Sequence, residues 1–419
     1  MSESQTLGSL REVLSPDLKK VFAGVFFNAL GGGLTMTMLL VYLNDIRGIG
    51  PGQSSFLLSW GAIIGLICVG PVGSLVDRIG PRSVMLCGLL IEAVGTMAWS
   101  QVRTLTQGFV VTTIIALGSS AIWGPQSALL ARISSPEKRT RVFGINFMLL
   151  NAGLGAGGLV GALIVQEGIE ASYQRLYLIN GASYLVYFFI ILSLRHLGGR
   201  EVADSEESNE NEGSYREVFQ DRRIVQMAAS GLLMIICGYA SIEAGTAIFT
   251  TTVVDLPPNT LGIIFGVNTF AIVTLQGPIL KWMHGHSRTR LLGAVGVLWA
   301  LSWAIVALTI PTRGAAAVAL LALSQFIFAV GEMLWSPILP SIANELAPPH
   351  LRGRYNALMS LQWGFANSIA PMFVAIFFGR GWILPWIIML MSGALLAGYV
   401  LLQLRRQLTA EQDGRFVTS

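Results

Sequence analysis

The stretch SFLLSWGAIIGLICVGPVGSLVDRIGPRSVMLCGLLIEAVGTMAW, residues 55–99, decides the architecture. Two apolar runs, Ser55–Val76 and Ser83–Trp99, flank a short polar turn that holds Asp77, Arg78 and Arg82. A helix needs about 20 mostly apolar residues to cross a bilayer. A barrel strand needs only about 10, with apolar and polar residues alternating. Neither run alternates, so the stretch predicts two membrane-spanning helices joined tightly at one face.

The same reading, carried outward, predicts twelve spans. Six precede residue 195: Val21–Leu43, Ser55–Val76, Ser83–Trp99, Gly108–Ala131, Val142–Val165 and Leu176–Leu194. Six follow residue 223: Ile224–Phe249, Leu261–Trp282, Leu291–Ile310, Ala315–Asn344, Tyr355–Phe378 and Ile383–Leu404. Composition agrees. Of 419 residues, 53% are hydrophobic and 12% charged, with mean hydropathy +0.64. Soluble domains carry about 25% charged residues, so an ordinary globular surface is excluded. Disorder, which needs low hydrophobicity and high charge, is excluded too. A net charge of +4 gives no support to nucleic-acid binding. The polar start is no cleavable signal peptide, so the first span is expected to be retained.

Basic residues give the sidedness. Of the 27 Lys and Arg, 22 fall on the side holding both tails, the even-to-odd loops and the central connector. The other side has only Arg47, Arg103, Arg175, Arg313 and Arg380, and no basic residue remains for a span's middle. By the positive-inside rule both termini are expected in the cytoplasm of a cell-membrane protein.

The expected organisation is a tail (1–20), a six-helix bundle (21–194), an acidic connector (195–223), a second six-helix bundle (224–404) and a tail (405–419). The connector carries Ser205, Glu206, Glu207, Ser208, Asn209 and Glu210, which read as a flexible linker. The halves echo each other. Trp123-Gly-Pro125, Pro136 and Arg139-Thr-Arg141 return as Trp335-Ser-Pro337, Pro348 and Arg352-Gly-Arg354. Two same-orientation halves related by a pseudo-two-fold, with a midplane site between them, are a recurrent transporter plan.

The turn Gly73-Ser-Leu-Val-Asp77-Arg78-Ile-Gly80-Pro81-Arg82 resembles the signature of the major facilitator superfamily, matching at Gly73, Asp77, Arg78, Gly80 and Arg82. Gly73 lets another helix approach closely. Asp77, at a helix end, could accept backbone N–H bonds from a facing helix N-terminus. In the family that contact, usually with span 11, latches one conformation. Span 5 carries Gly153, Gly157 and Gly161, similar to the glycine-rich span of the family's bacterial drug/proton antiporters, with Gly158 where those have proline. Span 11 keeps a proline, Pro371. These four residues are candidates for a bending gate, or for a close helix contact without gating. The match departs from those antiporters in span 4, where Ile114 occupies their arginine position. Span 1 has no acid, and in the second copy of the loop Lys281 replaces the aspartate.

Three acids, Glu92, Glu243 and Glu332, fall within spans. A charge there costs about 2.5 to 3.5 kcal/mol on insertion scales, and no basic partner is available. Each is therefore a candidate for proton coupling, or a neutral, hydrogen-bonded structural acid. Helical spacing adds cavity candidates: Asn28 and Thr35; Ser120, Trp123 and Gln126; Tyr239; Gln325 and Trp335; and Trp363. Such a cavity suits amphiphilic or neutral molecules better than anions.

The remaining chemistry is sparse. All four histidines fall in loops, and Cys68, Cys87 and Cys237 read as buried filler. No phosphate-binding loop is present, so neither cofactor nor metal is expected, and no enzymatic activity. The expected molecule is a monomeric secondary transporter working by alternating access on a small-molecule substrate in the lipid bilayer. Export of drug-like or amphiphilic compounds by proton antiport is the leading reading. A uniporter or proton symporter for a polar metabolite such as a sugar is the alternative.

Overall fold

A computed structural model describes residues 15–36, 38–166, 168–197, 214–257 and 260–415. The tail up to residue 14, the acidic stretch Ser205–Glu210 and residues 416–419 lie outside the described residues. Among the described residues all regular structure is helical.

The helices are α1 (Pro16–Met36), α2 (Pro51–Ile79), α3 (Pro81–Trp99), α4 (Leu105–Arg132), α5 (Pro136–Ile164) and α6 (Glu170–Ser193). Then come α7 (Arg222–Val253), α8 (Thr260–Met283), α9 (Arg288–Leu308), α10 (Gly314–Leu346), α11 (Arg352–Gly379) and α12 (Ile383–Gln403). Eleven are long and apolar enough to cross a membrane by themselves. The twelfth span is bent: Pro16–Met36 and Leu39–Ile46 meet at 42°. This corrects the continuous first span expected from the sequence. The outer piece ends in a π-helical turn, Tyr42–Ile46, and is tied elsewhere. The Tyr42 hydroxyl donates to Trp99 O and Ser100 O, and Arg47 pairs with Glu170 at 2.6 Å. The connector after α6 carries a short helix, Tyr215–Gln220, at its described end.

Local chemistry sets the helix ends. Proline, whose missing N–H is harmless in a first turn, opens α2, α3 and α5. Between α2 and α3 the chain turns on Gly80 with φ +86°, a conformation open to glycine. Thr104 and Gln107 form a reciprocal capping box on α4. Prolines inside α2, α4, α8, α10 and α11 are tolerated because neighbouring helices and side chains take up the freed backbone groups. Helix α7 is interrupted by two π-helical turns, Ile236–Ala240 and Phe249–Val253. At the first, Ser241 Oγ donates to Ile236 O at 2.6 Å, satisfying a carbonyl that the wider turn loosens.

Contacts divide the chain into two compact units: Met1–Ser214 with Ala347–Ser360, and Tyr215–Leu346 with Leu361–Ser419. The first turns of α11 thus count with the first unit. Within that unit α1 packs on α5 and α6, α2 on α4, and α3 on α4 and α6. In the second, α7 packs on α12, α8 on α10, and α9 on α10 and α12. The pairings 1–6, 2–4, 3–4 and 3–6 recur as 7–12, 8–10, 9–10 and 9–12. The sequence repeat is therefore in large part a repeat of packing, the α1–α5 contact having no 7–11 counterpart of like extent among the described residues.

The α1–α5 contact is a seam of small residues. A Cβ on Gly153, Gly157 or Gly161 would meet α1 backbone at Phe26, Leu30 or Leu34 respectively, so the two backbones approach as only glycine permits. The second unit is held by large rings. Trp299, Trp303 and Trp386 are fully buried, and Trp299 stacks on Phe328 at 4.6 Å. The indole N–H of Trp303 donates to Cys237 O at 2.7 Å.

The cysteines need correction. Cys237 is buried, but Cys68 is half-buried and Cys87 exposed. Helix α3 buries the face holding Val84, Gly88, Glu92 and Gly95, and Cys87 points the other way. In a membrane helix an apolar neighbourhood does not imply burial, because the outward face is apolar too.

Candidate functional site

In the second unit, Glu332 of α10 is buried at 6% exposure. Asn268 of α8 donates its side-chain N–H to Glu332 Oε2. Tyr239, in the first π-helical turn of α7, lies against the same carboxyl and shares a hydrogen bond with Ser336 Oγ at 3.3 Å. Glu243, one turn on, is exposed but within electrostatic range of Glu332. Among the described residues no basic side chain joins this group, so two helices, α7 and α8, supply only neutral hydrogen-bonding partners to the acid on α10.

Aromatic rings back the cluster. Tyr239 is tilted against Trp363 at 4.9 Å and meets Trp299 and Phe328 edge-on. Trp363 keeps 40% exposure, whereas Trp335 and Gln325 are buried. Trp363 therefore presents the accessible aromatic surface, with half-buried Tyr239 packed behind it, and Trp335 serves the packing of its own half.

In the first unit, Glu92 of α3 is buried at 5% exposure. The Tyr184 hydroxyl of α6 donates to Glu92 Oε1 at 3.2 Å. The other carboxyl oxygen, Oε2, is buried beside the α4 backbone at Gly118 and Ser119, and half-buried Asn28 lies against the Tyr184 hydroxyl. Gln126 is buried between Asn146 and Tyr187, and Thr35 is buried and accepts from Asn180 at 2.8 Å. Ser120 is half-buried and bonded to Leu117 O, while Trp123 is exposed.

At the end of α2, Asp77 accepts the backbone N–H groups of Gly353 and Arg354 and the Arg354 guanidinium at 2.8 Å. Both side chains are almost fully buried. A carboxylate here completes the orphan donors of the α11 N-terminus and lies in the favourable end of its dipole. A Cβ on Gly353 would collide with Gly73 O. Arg82 donates to Ile191 O and Leu192 O, closing the end of α6, and Arg78 is exposed. Pro371 lies on an exposed face of α11.

Three partners escaped the sequence reading. Asn268 and Tyr184 are neutral residues in apolar runs, where only their cross-helix acid reveals them. The third is Asp413, beyond α12. Fully buried, it accepts from Ser287 Oγ at 2.7 Å and from Thr289 N and Oγ1 at 2.9 and 2.7 Å. It thereby caps the first turn of α9, where Arg288 also pairs with buried Glu345 at 2.7 Å.

The family model described as Major Facilitator Superfamily matches residues 21–371. A tetracycline resistance protein, class E, of Escherichia coli is 26% identical over 254 residues, covering 59% of this chain and 57% of its own. A Na(+), Li(+), K(+)/H(+) antiporter of Planococcus maritimus is 23% identical over 417 residues, covering 92% and 95%. Among solved structures, a bacterial homologue of the iron transporter ferroportin superposes with TM-score 0.77 at 16% identity, over 94% of this chain and all of that one. At that identity the likeness is one of fold.

Proposed function

The chain belongs to the major facilitator superfamily, and from that membership we propose that it exports drug-like or amphiphilic molecules by alternating access, in exchange for protons carried on Glu332. It is a multi-pass membrane transporter and not an enzyme. The finer reading rests on one observation: a buried acid whose partners, Asn268 and Tyr239, are neutral. Such a carboxyl can take up and release a proton without breaking an ion pair. The exposed Trp363 and half-buried Tyr239 beside it offer an apolar, polarizable wall. Support also comes from two relatives named for tetracycline resistance and for cation/proton antiport. Glu243, in electrostatic range, is the second acid of the same pathway. The protein sits in the cell membrane with both tails cytoplasmic.

Magnitudes are sufficient. One proton crossing a potential of 100 mV releases about 2.3 kcal/mol. At 1.4 kcal/mol per factor of ten, that sustains roughly a 40-fold substrate gradient per proton.

The test is flux of lipophilic dyes and labelled antibiotics into proteoliposomes, with and without an imposed proton gradient. Proton-driven flux abolished by Glu332→Gln supports the proposal. Flux that ignores the gradient and survives Glu332→Gln combined with Glu243→Gln removes it. Ile114 and the acid-free α1 would then favour a uniporter for a polar metabolite.

A further inference from the structure

Glu92 takes no part in the cluster around Glu332, yet its setting is not that of a satisfied structural acid. A permanently neutral carboxyl buried in a helix contact needs an acceptor for its own O–H. Glu92 Oε2 meets no acceptor: the carboxyl is approached by donors, the Tyr184 hydroxyl at 3.2 Å from Oε1 and the backbone N–H of Ser119 on α4. Asn28, on α1, lies against the Tyr184 hydroxyl.

The charged residues of the helices around it stand at helix ends: Arg82 on α3, Asp77 and Arg78 on α2, Arg132 on α4, and Glu170 and Arg175 on α6. On α1 they are Asp17, Lys19 and Lys20, in the first turns. Tyr184 is the titratable side chain that faces the carboxyl, and α4 presents Gly118 and Ser119.

Space decides what can bind. A Cβ on Gly118 would lie 2.7 Å from Glu92 Oε2 and 2.8 Å from Glu92 N, so the acid packs directly on the α4 backbone. A metal cation needs six or more oxygens at metal distance, or its own water. Neither fits between Glu92 and Gly118, and no cluster of three acidic, histidine or cysteine side chains exists among the described residues. A proton needs no room beyond the carboxyl oxygen itself.

We propose that Glu92, with Tyr184 and Asn28, is a second proton-binding site, in the first unit and separate from Glu332. The carboxylate takes up one proton at Oε2 and returns the same proton on release, while Oε1 keeps its bond from Tyr184. Tyr184 and Asn28 are both half-buried. The site stands without the transport reading; its use as a second coupling proton rests on that reading.

The experiment is infrared titration of the purified full-length protein in detergent, following the protonated-carboxyl band against pH, with no substrate added. Glu92→Gln is expected to remove one reversibly titrating band and its proton equivalent. Tyr184→Phe is expected to keep that band and move its frequency, a readout that does not depend on the Gln variant folding. A Glu92→Gln spectrum with all bands present, a band that never titrates, or a frequency unmoved in Tyr184→Phe would overturn the proposal. Glu332→Gln serves as the control. Its failure to remove a band would count against Glu332 and leave the Glu92 result standing.

Discussion

Asp77 and Arg354, 277 residues apart in the chain, form a nearly buried ion pair at 2.8 Å. Breaking a buried pair from one side costs about 3–5 kcal/mol, because the remaining charge is left uncompensated. Asp77→Ala should therefore lower the thermal midpoint in detergent sharply. Arg78→Ala, at an exposed position of the same turn, should barely change it.

Adjacent glycines on α5 should behave oppositely. A Cβ on Gly157 would enter Leu30 O, whereas one on Gly158 would find its nearest atom 3.9 Å away. Gly157→Ala should destabilise by about 1–3 kcal/mol, the range for overpacking. Gly158→Ala should be neutral or slightly stabilising. Thermal denaturation of the two variants checks the contrast.

Asn268 should matter to transport although it carries no charge. Asn268→Leu strips Glu332 Oε2 of its donor. Hydrogen bonds to charged groups are worth about 1.5–3 kcal/mol, so proton-driven flux should fall roughly 10- to 100-fold. Flux equal to the wild type would show that the acid works without its α8 partner.

Asp413 closes three donors of the α9 start. Asp413→Ala leaves them buried at about 1–3 kcal/mol each. The variant should unfold several degrees earlier, and amide exchange at Thr289 should become measurable.

Reporter fusions at residues 1 and 419 should report the same side of the membrane. Opposite sides would contradict the twelve-span count and the 22-to-5 division of basic residues.

Much of the fold was legible because run length and charge are local properties of the chain. Asp77 and Gly73 stood out because a polar turn between two apolar runs has few places to go. Glu332 and Glu92 stood out because a carboxylate in hydrocarbon is costly wherever it points. Asn268 and Tyr184 did not, since a lone amide or phenol in a span is unremarkable until its partner on another helix is known. The bend after Met36 was equally hidden. It is held by Tyr42 and Arg47 reaching Ser100 and Glu170, bonds that no periodicity encodes. Cys87 was misread because outward and inward faces of a membrane helix share one composition.

Since Asp413 follows α12, the opening turn of α9 lacks its carboxylate until every span has left the ribosome. Docking of Asp413 on α9 must then follow synthesis of the last span. A chain stopped after α12 would leave Ser287 Oγ and Thr289 N and Oγ1 without that acceptor.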